Sequence, residues 1–128
     1  MEQAGAVLLG TAIKVLLWPA YRSTDMEVHR NWLAITYSLP LRAWYVDATS
    51  PWTLDYPPFF AYLSWLLAQP AAWIDARIVD VRRGLNYDAW PCVAYMRATV
   101  LCTEGVLVYA LYLPVSYTHL TLPTICSV

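Results

Sequence analysis

The stretch "DYPPFFAYLSWLLAQPAAWID", residues 55–75, decides the fold. No charge lies between Asp55 and Asp75, so hydropathy alone makes the segment a membrane span. Three features argue for a different placement. Pro57 and Pro58 suit the opening of a helix. Pro70 should interrupt one. The segment is dense in Tyr and Trp, which favour the membrane–water boundary. The pattern therefore predicts an interfacial helix near 56–75, with a span as the alternative.

Two other segments are long and apolar enough to cross a bilayer, which takes about 20 residues. One is "AGAVLLGTAIKVLLWPAY", 4–21, and the other "AYMRATVLCTEGVLVYALYLP", 94–114. Lys14 and Glu104 are costly inside lipid and should snorkel or face protein. The first segment fits a cleaved leader poorly, because Glu2 precedes it and "WPAY" offers no small-residue cleavage site. Composition agrees with a membrane chain. The 128 residues are 59% hydrophobic and only 13% charged, too few charges to cover a soluble surface. Seven Trp and ten Tyr supply interfacial side chains. The net charge of −1 excludes a nucleic-acid-binding surface built on basic residues. Cys92, Cys102 and Cys126 are odd in number and lack CxxC spacing, which argues against zinc and against a disulfide framework.

Between the two spans lies a loop, 22–93. Its first part, "STDMEVHRNWLAIT", reads as an amphipathic helix near 24–38. Thr24 is the expected N-cap, and Glu27 completes a capping box. Val28, Trp32 and Ile35 form an apolar stripe, with Asp25 and His29 together on another side. Pro40 should end the helix. Residues 76–93 read as a polar connection. Seven of the eight basic residues lie between Arg22 and Arg97, which would put the loop in the cytosol, but the rule weakens for loops beyond about 60 residues.

The charges of the loop are where chemistry could sit. A carboxylate in the first turn of a helix is held as the anion, so Asp25 could serve as a base at the lipid boundary. Asp55 opens the second helix similarly. On pattern alone, ordinary helix-terminal charges are the plainer reading of both. His29 reads as a polar-face residue or as an orienting partner for Asp25. Arg30 reads as a solvated charge or as a phosphate ligand. No spacing is diagnostic of a metal site, and no phosphate loop, GxSxG or HExxH motif occurs. No metal and no cofactor are expected.

Several unusual words in order carry a family likeness: "STDMEVHRNW", "WYVDATSPWTLDYPPFF", then "MRATVL" at the next span. Over about 8–114 they resemble the N-terminal part of the dolichyl-phosphate-glucose-dependent α-1,3-glucosyltransferases of the endoplasmic reticulum, multispanning enzymes of the GT-C class. "HRNWLAIT" is similar to the branch that adds the second glucose; the first-glucose branch is the near alternative. A small two-span assembly protein without catalysis is the alternative from another class.

The resemblance implies an all-α membrane protein, in which two transmembrane helices are joined by a lumenal loop with two interfacial helices. It implies Asp25 as catalytic base for inverting glucose transfer. His29, Arg30, Asp55 and Tyr56 become candidate substrate contacts. The implied partners are dolichyl phosphate glucose, the dolichyl-diphosphate-linked oligosaccharide and the bilayer, with no nucleic acid. The resemblance also implies a truncated chain, inactive alone, with a cytosolic N-terminus. The last stretch, "VSYTHLTLPTICSV" (115–128), departs from the family pattern and is expected to be a non-native tail.

Overall fold

The computed structural model describes the backbone of residues 2–125 and the side chains of residues 5–114. The described residues are helical, with no strand. Helix α1 spans Glu2–Leu16, α2 Thr24–Ser38, α3 Pro58–Ile74 and α4 Trp90–Ile125. Short 3-10 turns occupy Leu41–Ala43 and Ala76–Val79. The chain divides into two compact units, Met1–Arg97 and Ala98–Val128. The packing described below lies within the first; the second continues α4. The side chains of the expected foreign tail, 115–128, lie outside the described residues.

Helix α2 is the centre of the first unit. The apolar stripe expected from Val28, Trp32 and Ile35 forms a cluster with Trp44, Leu54, Phe60 and Ala61. A second cluster forms on another side of the same helix. Leu33 meets Ala68 and Ala71 of α3, Ile78 and Val79, and Cys92 and Tyr95 at the start of α4. Every residue from Arg30 to Thr36 is buried, so α2 is a core helix rather than a one-sided one. The alanines at 61, 68 and 71 explain the close approach of α3: each is fully buried and leaves no side chain to hold the helices apart. The outward side of α3 stays apolar, with Phe59 84% and Trp73 91% exposed.

The start of α2 differs from the expected capping box. Ser23, not Thr24, is the N-cap, and it makes no side-chain cap bond. Its hydroxyl turns to Asp25, while Glu27 turns inward to Arg30. A charge-assisted contact in a buried site outweighs a solvent-exposed cap.

Pro70 does not interrupt α3, which runs through it to Ile74. A proline inside a helix removes one hydrogen bond, but here it lies on the exposed side, and the Gln69 side-chain amide donates to the Trp65 carbonyl at 2.9 Å beside the gap.

The expected first span is shorter than 4–21. Helix α1 has 15 residues, about 22 Å at 1.5 Å per residue, and gives way to a turn through Trp18 and Ala20. The turn contains Pro19, which cannot continue the ladder. Among the described residues only Trp90–Pro114 is long and apolar enough to cross a membrane by itself. That helix opens at Trp90, four residues before the expected boundary at 94.

Candidate active site

Asp25 is exposed in the first turn of α2. Its contact is the Ser23 hydroxyl, which donates to Oδ2 at 3.2 Å. Among the described residues no hydrogen bond joins Asp25 to His29 or to Asp55. His29 instead sets its ring edge-on to Trp32, with centroids 4.9 Å apart, and lies 6.0 Å from Phe60. Tyr56 joins the same aromatic group, 5.0 Å from Trp32 and 4.9 Å from Phe60. The fold thus brings His29 and Tyr56 together through Trp32 and Phe60, and leaves Asp55 exposed at the group's edge.

The loop that carries Asp55 is fastened to α2 by two side chains. Asn31 Nδ2 donates to the Trp52 carbonyl at 2.9 Å, and Trp32 Nε1 donates to the Thr53 carbonyl at 3.0 Å. The Tyr45 hydroxyl donates to the Tyr56 carbonyl. The adjacent Asn31 and Trp32 therefore both lie in the core and set the loop.

Arg30, a candidate substrate contact, is turned into the core. Its side chain is fully buried. Nε and Nη2 bond the two oxygens of Glu27, each at 2.8 Å, and Nη1 donates to the Ile78 carbonyl at 3.0 Å. A guanidinium has five donors in a fixed fork. These partners, with Asn31 Oδ1 at 3.4 Å, turn the fork inward and leave it no face towards a phosphate in this structure. Gly84 completes the enclosure: a Cβ there would come within 2.4 Å of Arg30 Nη1 and of the carbonyls of Arg77 and Asp80.

The polar connection after α3 is accordingly a scaffold, which its sequence pattern did not reveal. Asp75 accepts from the Tyr87 hydroxyl at 2.5 Å and from the Arg77 amide at 3.0 Å. These bonds, the tyrosine's first, hold the Asp75 carboxyl below its usual range and push the Tyr87 phenol up. The Arg77 guanidinium lies 4.3 Å from the Tyr87 ring centre. Asp80 accepts from the amides of Arg83 and Arg82, which lower its carboxyl likewise.

Two clefts flank the entry to α2. One, of about 320 Å³, is lined by Tyr21, Arg22, Ser23, Trp52, Asn86 and Asp88 among others. The other, of about 250 Å³, is lined by Trp18, Pro19 and Trp90 and shares Arg22 and Asp88 with the first. The shared pair divides them: Arg22 Nη1 donates to the Asp88 carbonyl at 2.7 Å, and Nη2 lies 3.4 Å from its carboxylate. Asp25 does not line either cleft, but Ser23, its hydrogen-bond donor, lines the larger. The turn before Arg22 is held by Arg97 of α4. That guanidinium donates to the carbonyls of Leu17 at 2.6 Å, of Trp18, and of Ala20 and Tyr21 at 3.2 Å each. Among the described residues no three His, Cys, Asp or Glu side chains group as metal ligands.

The chain is similar to known proteins along nearly all of this framework. The family model described as "ALG6, ALG8 glycosyltransferase family" matches residues 10–124. A dolichyl pyrophosphate Glc1Man9GlcNAc2 alpha-1,3-glucosyltransferase of Gibberella zeae is 58% identical over 108 residues, 84% of this chain and 21% of that protein. The protein of the same name from Neurospora crassa is 57% identical over 111 residues, 87% of this chain and 22% of its own length. The Bos taurus protein of that name is 50% identical over 108 residues, 84% of this chain and 20% of its own. The chain thus spans about a fifth of the length of the curated relatives it matches. No solved structure matches it. With a family match running from residue 10 to residue 124, the chain belongs to the ALG6, ALG8 glycosyltransferase family.

Proposed function

We propose that the full-length protein to which this chain contributes transfers glucose from dolichyl phosphate glucose to the monoglucosylated, dolichyl-diphosphate-linked oligosaccharide, at the membrane of the endoplasmic reticulum. The observation that carries this is the 50–58% identity to relatives whose names state the acceptor and the α-1,3 linkage. Residues 22–93 form the lumenal loop, between α1 as the first membrane segment and the span in α4. Helix α3 lies along the interface. Its 17 residues and outward aromatic side chains support that placement.

Asp25 is the general base. Its carboxylate takes the proton of the acceptor hydroxyl as that oxygen attacks the anomeric carbon. The carbon's bond to the phosphate oxygen breaks, and dolichyl phosphate leaves with the electron pair. Asp25 suits the task because it is exposed, lies at a helix N-terminus and, among the described residues, is bonded only by a hydroxyl, so its lone pairs remain available. His29, Tyr56 and Asp55 form the aromatic and acidic edge that the substrate meets, whereas Arg30 acts as frame. Purified full-length enzyme given dolichyl phosphate glucose and the monoglucosylated lipid-linked oligosaccharide should yield the diglucosylated product. Activity confined to the unglucosylated acceptor would instead assign the first-glucose reaction.

A further inference from the structure

Building on the glucosyl-transfer reading above, we propose that the 320 Å³ cleft at the start of α2 is the subsite for the terminal hexose of the acceptor oligosaccharide, with Trp52 as its stacking face and Asn86 and Asp88 as its hydrogen-bonding partners.

The cleft has the chemistry of a sugar site. A pyranose presents a C–H face that packs on an aromatic ring and a rim of hydroxyls that both donate and accept. Trp52 and Tyr21 supply rings; Asn86, Asp88 and Arg22 supply an amide, a carboxylate and a guanidinium. Its volume stands at the lower end of ligand sites, about 300–1,000 Å³, and fits one or two rings rather than a lipid chain.

The charge balance favours a neutral polyol over a phosphate. Among the described residues Arg22 is the one cation lining the cleft, against the carboxylates of Glu27 and Asp88. Arg22 is already paired with Asp88, and Glu27 is occupied by Arg30. A donor phosphate entering here would meet a net negative wall, whereas hydroxyls meet acceptors and donors alike.

The lining is held rigidly where the sugar would touch it. The Trp52 carbonyl accepts from Asn31, the next carbonyl accepts from Trp32, and the Trp52 amide donates to the Ser50 hydroxyl at 3.2 Å. Asn86 has φ of 55°, the one positive value at a non-glycine position among the described residues. Asparagine is one of the few side chains that tolerate this conformation, and here it places an amide on the cleft wall. Ser23, on the cleft wall, hydrogen-bonds Asp25, which sets the proposed base one hydrogen bond from the bound sugar.

The test uses full-length enzyme carrying Trp52→Ala or Asn86→Gly, with KM measured separately for the lipid-linked acceptor and for dolichyl phosphate glucose. Each variant should raise the acceptor KM by about fivefold or more, the loss expected for one ordinary hydrogen bond or ring contact, while the donor KM stays within about twofold. Asn86→Gly relieves the backbone and should melt no lower than wild type, so it decides the matter even where Trp52→Ala folds poorly. An unchanged acceptor KM in Asn86→Gly, or a rise in donor KM instead, overturns the subsite. Wild-type enzyme that forms no diglucosylated product overturns the functional reading itself.

Discussion

Glu27 and Arg30, one turn apart on α2, meet through two hydrogen bonds of 2.8 Å each, with the arginine side chain fully buried. The pair reaches beyond its own helix, because Arg30 Nη1 also takes the Ile78 carbonyl. Removing one partner of a buried pair leaves an uncompensated charge, at about 3–5 kcal/mol. Glu27→Gln and Arg30→Lys should therefore both lower the melting temperature of the full-length enzyme sharply. Lysine fails because its point charge cannot occupy two carboxylate oxygens and a carbonyl in one plane. Should Arg30→Lys melt like wild type and raise the donor KM alone, the guanidinium serves the substrate phosphate and not the frame.

Gly84 gives a second, independent probe of the same enclosure. Two of the three atoms 2.4 Å from its virtual Cβ are backbone carbonyls, of Arg77 and Asp80, which cannot swing aside. Gly84→Ala should destabilise by about 1–3 kcal/mol or more through overpacking, read as a lower melting temperature and a lower yield of folded enzyme. A wild-type melting curve for this variant would show that the loop yields without cost.

Asp25→Asn separates chemistry from folding. The side chain is exposed and, among the described residues, bonded only to Ser23, so the amide should leave the melting temperature unchanged. Loss of a general base should lower kcat by about 10²–10⁴-fold. The same substitution at Asp55 should act on KM more than on kcat. Near-normal turnover in Asp25→Asn would remove this residue as the base.

What the sequence made legible follows from range. Helix α2 was readable because Val28, Trp32 and Ile35 repeat at helical spacing, a local signal. Its second buried side was not, because Leu33 faces residues more than 30 positions away. The polar run 76–93 carries no periodicity, yet its carbonyls at Ile78 and Asp80 are the partners of Arg30. Backbone acceptors leave no trace in side-chain pattern, so a guanidinium committed to them reads as solvated. Arg97 likewise bonds backbone acceptors, the carbonyls of Leu17, Trp18, Ala20 and Tyr21. Pro70 misled for the opposite reason: its penalty is local and real, but burial of Ala68 and Ala71 on either side outweighs one lost hydrogen bond.

Tyr87 and Asp75 tie the scaffold in a way that pH can read. Asp75 titrates below its ordinary 3.8 in the folded chain, chiefly because of the Tyr87 hydroxyl. Its contribution is therefore complete above pH 3.8 and is lost as pH falls through the lower folded value. Tyr87 titrates above its ordinary 10.0, so its contribution is complete below pH 10.0 and is lost as pH rises through the higher folded value. Tyr87→Phe should melt below wild type by a constant margin between about pH 5 and 9. The margin should shrink towards both extremes. A margin that grows on acidification would mean that the hydroxyl does not stabilise the carboxylate.

Arg97 sets the approach to Asp25 without touching it. Its guanidinium gathers carbonyls from Leu17 to Tyr21, in the turn that follows α1. The next residue, Arg22, is tied to Asp88, and Asp25, the proposed base, follows three positions later. Arg97→Gln keeps a donor but loses the charge and the fork, so the turn should loosen while α2 stays packed. We expect kcat to fall by about 10-fold or more, with both substrate KM values within about threefold, since misplacing a base lowers turnover before it alters binding. Arg97→Lys should recover part of the loss, because an ammonium still reaches several carbonyls. If Arg97→Gln lowers the melting temperature and leaves kcat per folded molecule intact, the residue is a fastener of α1 alone and the route to Asp25 runs elsewhere.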